Sequence, residues 1–214
     1  TATSFDGKIT RTYSGKRIKS LTKLRNKLKG KTQKKLKGLK KHSRRYKKVN
    51  SAYRQVSRRI ENQIKDVLHK CSKTIVNQCR NDKVGKIVFG DCSGVHDGTN
   101  LGKENNQLVQ QNPEQRLRQY IEDKFDVIGG MCDKIPEYYT SKTCPKCGEL
   151  NMPQRRSYKC KSCDFKYDRD GVGSVNIYCS YKNVSFGEKL DVVGSLTEPI
   201  GWKYSSNRDC LAKC

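Results

Sequence analysis

The sequence is short of apolar material. Of its 214 residues 33% are hydrophobic and 8% aromatic, with one Trp, two Met and five Pro. That supports one domain of modest core, or one domain with a small insert, and excludes a large core. No stretch approaches roughly 18 consecutive apolar residues, which excludes a membrane-spanning helix, and no membrane partner is expected. A signal-peptide pattern is missing, because Asp6, Gly7 and Lys8 break the first apolar residues. An initiator Met is missing too, and Thr1 opens what reads as mid-domain sequence, so the expectation is a fragment. Histidine is scarce: His42, His69 and His96 stand at no ligand spacing from one another and read as ordinary surface or core residues.

Acids are nearly absent between Thr1 and Lys70, a segment that holds three of them against 24 Lys and Arg, a net +21 of the chain's +25. A field that lopsided favours a polyanion, with nucleic acid the default partner. A solvated basic arm or a nuclear-localisation run is the alternative. The expected setting is intracellular: a bacterial or archaeal cytoplasm, or a nucleus reached through the basic run 34–45.

Along the chain, residues 1–13 read as a hairpin turning at Asp6-Gly7. Residues 18–80 read as helical, with Gly30 and Gly38 interrupting. A long apolar stripe runs from Tyr46 through Tyr53, Ile60, Ile64, Leu68 and Cys71 to Ile75, with Lys and Arg on the other faces. The stripe reads as core. Residues 86–89 read as a short buried strand, 94–112 as a loop, 113–128 as an amphipathic helix stopped by Gly129-Gly130, and 131–139 as a second strand. Residues 168–181 read as a helix with Asp168 as its N-cap. After Ser185 periodicity fades, and 186–214 reads as a loosely held tail. Strands and helices in this order predict an α/β fold with a mixed sheet.

Eleven cysteines include two tight pairs, Cys144-Pro-Lys-Cys147 and Cys160-Lys-Ser-Cys163, separated by the segment 148–159. Two residues between ligands let a tight turn aim both sulfurs inward, and Gly148 suits the turn after the first pair. Four thiolates leave no open position, so the expected ion is structural Zn2+. Disulfides or free thiols are the competing readings. Arg155, Arg156, Lys159 and Lys161 make this segment basic. Cys71 and Cys79, two helical turns apart, read as buried packing.

Three acids sit where a sheet-edge metal site would want them. Asp91 follows the 86–89 strand, Glu137 lies at the end of the 131–139 strand, and Asp170 lies in Asp168-Arg169-Asp170-Gly171 at a helix start. Carboxylates converging on one sheet edge can bind two divalent ions that activate water and stabilise a leaving phosphodiester oxygen. Taken singly, each acid reads as a turn or cap residue.

The run Tyr139-Thr140-Ser141-Lys142-Thr143-Cys144-Pro145-Lys146-Cys147-Gly148 is followed by Tyr158-Lys159-Cys160-Lys161-Ser162-Cys163 and by Asp168-Arg169-Asp170-Gly171-Val172-Gly173-Ser174-Val175-Asn176-Ile177. Together they resemble the TnpB family of transposon-encoded RNA-guided DNA endonucleases, relatives of type V CRISPR effectors and of the Fanzor proteins. The resemblance covers roughly residues 1–181 and leaves the tail unmatched. It implies an RNase H-like (RuvC-type) nuclease domain over 1–139, incomplete at its start, with basic helices at about 18–80. A zinc-ribbon insert over 140–167 and a final motif and helix over 168–185 would follow. It implies catalytic Mg2+, and DNA and guide RNA as partners. Matched by position, Asp170 is the last catalytic acid. The second family acid, a Glu, is replaced here by Gly90; Glu137 takes over as in part of the family, with Asp91 close behind. The first family acid would precede Thr1, and Asp6 lies too far along to substitute. The resemblance therefore leaves two further readings open: an inactive nucleic-acid-binding remnant, and a zinc-ribbon protein whose basic arm binds a protein or rRNA.

Overall fold

The computed structural model describes residues 1–91, 102–153, 155–184, 186–205 and 210–213. Its content is mixed α/β. The hairpin β1 (Ala2–Phe5) and β2 (Thr10–Tyr13) turns at Gly7, whose φ of +99° suits a residue without a β-carbon. Asp6 fixes the turn by accepting from the Lys8 and Ile9 N–H groups at 2.9 and 2.8 Å.

Two long helices follow, α1 (Lys16–Lys37) and α2 (Arg44–Asn81). The chain tolerates Gly30 inside α1 and breaks at Gly38, the C-cap. Ser43 then starts α2 by accepting from Tyr46 N at 3.2 Å. With 38 residues, α2 is about 57 Å long. Only its second half is buried, through Ile60, Ile64, Val67, Leu68, Cys71, Ile75 and Val76. The stripe predicted from Tyr46 onward therefore becomes core only from Ile60, and Val56 is exposed.

Strand β3 (Lys86–Asp91) pairs in parallel with β4 (Met131–Pro136). Between them lie α3 (Lys103–Gln110) and α4 (Glu114–Asp126). The segment predicted as a loop over 94–112 thus contains a helix. The residue at its C-cap is tied to α1: Asn26 Nδ2 donates to Gln111 Oε1 at 2.9 Å. The first part of the predicted loop, through residue 101, lies outside the described residues. Pro113 caps α4 and Gly129, at φ +77°, ends the turn after it. That early stop leaves Ile128 exposed, where the sequence predicts it on the buried face.

A hairpin of β5 (Ser157–Lys159) and β6 (Lys166–Asp168) leads into α5 (Arg169–Lys182). Asp168 caps α5 as predicted, accepting from Asp170 N and Gly171 N, both at 3.0 Å.

The expectation of a loose tail over 186–214 needs correction. Its described residues form α6 (Phe186–Gly194), β7 (Ile200–Ser205) and β8 (Cys210–Lys213). Strand β7 lies parallel to β2, pairing Thr12 with Gly201 and Tyr13 with Trp202, and β8 closes the sheet in the order β1-β2-β7-β8. The reason is burial: Trp202 stacks on Tyr13 with centroids 6.5 Å apart, and Leu211 joins the main core with Cys71, Ile75, Val76, Ile121 and Phe125.

That core ties the sheet to α2 and α4, and a second cluster of Leu21, Ile60, Ile64 and Leu68 ties α1 to α2. Cys71 is buried and Cys79 half-buried, and burial pushes both thiols up to about 11. Among the described residues no helix is long and apolar enough to cross a membrane.

Candidate active site and metal centre

The parallel register of β3 and β4 sets Asp91 opposite Pro136, so Asp91 and Glu137 both sit at the C-terminal edge of this strand pair. Glu137 bends back over β3. A β-carbon at position 90 would stand 2.6 Å from Glu137 Oε2 and 2.8 Å from Ile177 Cδ1. The glycine at this strand end therefore makes the room that the Glu137 carboxylate fills. Thr140 Oγ1 lies 3.5 Å from Glu137 Oε1 and donates to it.

Asp170 stands in the first turn of α5, half-buried, with Arg169 Nη2 3.5 Å from its Oδ1. Spacings of three and seven put Asp170, Gly173 and Ile177 on one face of α5. That face turns toward the Glu137 segment: a β-carbon on Gly173 would meet Ser141 Cβ at 3.8 Å, and Ile177 reaches Gly90. About 10 Å of helical rise separates Asp170 from Ile177.

Helix α5 is pinned at several points. Near its start, Tyr167 OH donates to Thr10 Oγ1 at 2.9 Å, and the Tyr167 ring leaves no room for a side chain at Gly171. In the middle, buried Asn176 donates to the carbonyls of Thr140 and Thr143 at 2.7 and 2.9 Å. At the end, Tyr181 OH donates to Asp133 Oδ2 at 3.0 Å, and Lys86 Nζ reaches the same oxygen at 2.8 Å. The Lys86 ammonium and the Tyr181 hydroxyl hold the Asp133 carboxyl below the usual range.

Arg118, not singled out in the sequence, also supports the edge. From α4 its Nη2 donates to the Gly90 carbonyl at 2.9 Å, and its guanidinium lies 5.3 Å from the Phe89 ring centroid. An arginine inside an amphipathic helix carries no local signal of such a role.

The four cysteines Cys144, Cys147, Cys160 and Cys163 come together with all sulfurs within 4.8 Å of one another. Cys144 and Cys163 sulfurs are 3.7 Å apart, and those of Cys147 and Cys160 are 3.5 Å apart. These separations are far too long for disulfides. They match the edges of about 3.8 Å that a tetrahedron of thiolates at about 2.3 Å from zinc requires. The donor set fits a structural zinc, which these four residues would hold.

The turns behave accordingly. Gly148 adopts φ +77° and its N–H donates to Cys144 O at 2.9 Å. Burial pushes the Cys144 thiol up. At Cys160 burial is outweighed by the N–H groups of Ser162 and Cys163, which pull that thiol down to about 6. Asn151, buried and unremarked in the sequence, knits the two turns together. Its Nδ2 lies 3.5 Å from Cys160 Sγ and 3.0 Å from Tyr158 OH, and its Oδ1 accepts from Lys161 N at 2.9 Å.

Basic side chains concentrate on the helices. Helix α1 carries eleven Lys and Arg and no acid. The part of α2 from Arg44 to Arg59 adds seven more, again with no acid and nothing buried.

Residues 1–96 match the family model described as a probable transposase, OrfB of the IS605 type. Residues 115–177 match the Cas12f1-like TNB domain. A TnpB-like protein of Methanocaldococcus jannaschii is 28% identical over 162 residues, 75% of this chain and 55% of that protein. TnpB-like proteins of Acanthamoeba polyphaga mimivirus are 28% identical over 144 residues, 64% of this chain and 26% of theirs. The chain thus spans about half the length of the archaeal relative and a quarter of the viral ones. Among solved structures, the Cas12f1 chain of a Cas12f1–sgRNA–target DNA complex is similar at TM-score 0.48 and 21% identity, covering 68% of this chain and 40% of that one. Sequence motif, family models and curated relatives together support a TnpB-type family for this chain.

Proposed function

We propose that this chain is the carboxyl-terminal nuclease part of a transposon-associated RNA-guided DNA endonuclease, with an RNase H-like (RuvC-type) domain. The observation that carries the reading is the Glu137 carboxylate seated over Gly90 at the end of β3, beside the helix face that begins with Asp170. Asp170, Glu137 and Asp91 would hold magnesium. Bound magnesium supplies a water of lowered pKa and charge stabilisation for the leaving oxygen.

The chain's own residues do the rest. Arg118 and Asn176 hold the carboxylate-bearing segments in register. The basic faces of α1 and α2 grip phosphates of DNA or of a guide RNA–DNA duplex. The four cysteines hold zinc, which stiffens a small module with too little core of its own.

The test is cleavage of guide-matched DNA by the complete protein with its guide RNA. Cutting that requires Mg2+ supports the reading. Tight binding without cutting would favour the second reading, a nucleic-acid-binding protein without chemistry, to which acid-free α1 and the acid-free first part of α2 also point.

A further inference from the structure

We propose that the turn between α4 and β4 is a docking surface for a cationic amphipathic helix of a partner protein. Val127 is 84% exposed there, Met131 61% and Ile128 42%. Apolar side chains scattered singly over a surface are ordinary, whereas three within five residues, rimmed by charge, mark a contact. The turn opens β4 at its amino-terminal end, and about 20 Å of strand separates Met131 from Glu137 at the other end. A role at the candidate active site therefore does not account for the exposure.

The turn is held in one shape. Gly129 N–H donates to the Asp126 carbonyl at 2.8 Å, and Gly130 N–H to the Phe125 carbonyl at 2.9 Å. Gly130 lies against the fully buried Phe125 ring, where an added β-carbon would collide with it. Met131 N–H donates to the Gly85 carbonyl at 3.1 Å, which fastens the turn to the loop ahead of β3. The three apolar side chains thus stand on a fixed backbone, and a partner meets them with little ordering cost.

Charge selects the occupant. Residues 121–127 hold Glu122, Asp123 and Asp126 against one base, Lys124. That base is spent inside the protein: Lys124 Nζ donates to Ser72 Oγ at 2.8 Å and lies 3.3 Å from His69 Nδ1. The end of α4 therefore turns acids to the solvent, with Asp123 and Asp126 both exposed, while the adjoining loop adds one exposed base, Lys83. Acids at the carboxyl end of a helix oppose its dipole and cost stability. A cation brought by a partner relieves that cost. Phosphates are repelled by the same acids, so nucleic acid is not the occupant. A second copy meeting this face symmetrically would set acid against acid and add the repulsion of two chains of net charge +25. A helix with apolar anchors three and four residues apart, and Lys or Arg beside them, matches the apolar trio and the acids together.

The experiment titrates the full chain into a dye-labelled synthetic Leu/Lys amphipathic helix of about 16 residues and follows its anisotropy. The variants are Val127→Ser/Met131→Ser and Asp123→Asn/Asp126→Asn, with Trp202 fluorescence and the thermal midpoint establishing that each is folded. The parent should bind with micromolar affinity and each variant about tenfold more weakly. The Asp123→Asn/Asp126→Asn pair should also show a shallower salt dependence. A Leu/Glu peptide of the same pattern should bind parent and variants alike, through the basic helices. A parent that does not bind the Leu/Lys peptide, or variants that bind it as the parent does, overturns the surface. A parent dimer in sedimentation velocity that Val127→Ser/Met131→Ser splits would give the surface to a second copy and overturn the partner helix. No step of this titration involves cutting, so its outcome is independent of the nuclease reading.

Discussion

Glu137 and Gly90 share one space: the carboxylate of the first lies where a side chain on the second would be. Both neighbours of a new β-carbon there, Glu137 Oε2 and Ile177 Cδ1, are ends of flexible side chains. Gly90→Ala should therefore displace the carboxylate at a stability cost of about 1 kcal/mol, while cleavage falls much further. Thermal melting and cleavage rates of the complete protein separate the two effects. Moving the acid, as Gly90→Glu with Glu137→Ala, should recover part of the lost rate.

The four-sulfur cluster predicts about one zinc per chain, measurable by elemental analysis. Cys144→Ser or Cys163→Ser should abolish it. Asn151→Ala, which leaves every sulfur in place, should weaken zinc binding by about tenfold through loss of its contacts to Cys160 and Lys161. Acidification should release the ion, because protons compete for the thiolates.

Arg11 joins the hairpin to the end of α2: its Nη1 lies 2.5 Å from Asp6 Oδ2 and its Nη2 2.9 Å from Asp82 Oδ2. At Asp6 burial raises the pKa, but the Ile9 and Lys8 N–H groups and the Arg11 guanidinium outweigh it and hold the carboxyl below 3.8. A carboxyl depressed by folding stabilises the folded state fully above its unfolded pKa, and that contribution fades as the pH falls through the folded value. Asp6→Asn should cost about 1–2 kcal/mol in urea unfolding at neutral pH. The gap to the parent should close in acid below pH 3.8.

The carboxyl-terminal strands make a stability prediction of their own. Leu211 is buried in the main core, so Leu211→Ala should cost about 2–4 kcal/mol. A loose tail would make the substitution silent. Trp202, the one tryptophan, reports the unfolding directly through its fluorescence.

Legibility followed sequence distance. The cysteine module could be read because its ligand pairs are local, and Asp168 could be read as a cap because the N–H groups it accepts from lie two and three residues on. The β7–β8 pair could not: its alternation of Ile200, Trp202 and Tyr204 is short, and its partner β2 lies near the opposite end of the chain. The family resemblance named Glu137, but the seating of its carboxylate over Gly90 depends on the parallel register of β3 and β4, which no local pattern encodes. Helix α3 escaped because its sequence, rich in Asn and Gln, resembles a loop.

The most direct measurement is cleavage of guide-matched DNA with Mg2+ by the complete protein and by its Asp170→Asn and Glu137→Gln variants, each also assayed for target binding. Both variants should bind as the parent does and cut at least about a hundredfold more slowly. Cutting at the parent rate by either variant would contradict the assignment of that carboxylate to the reacting phosphate.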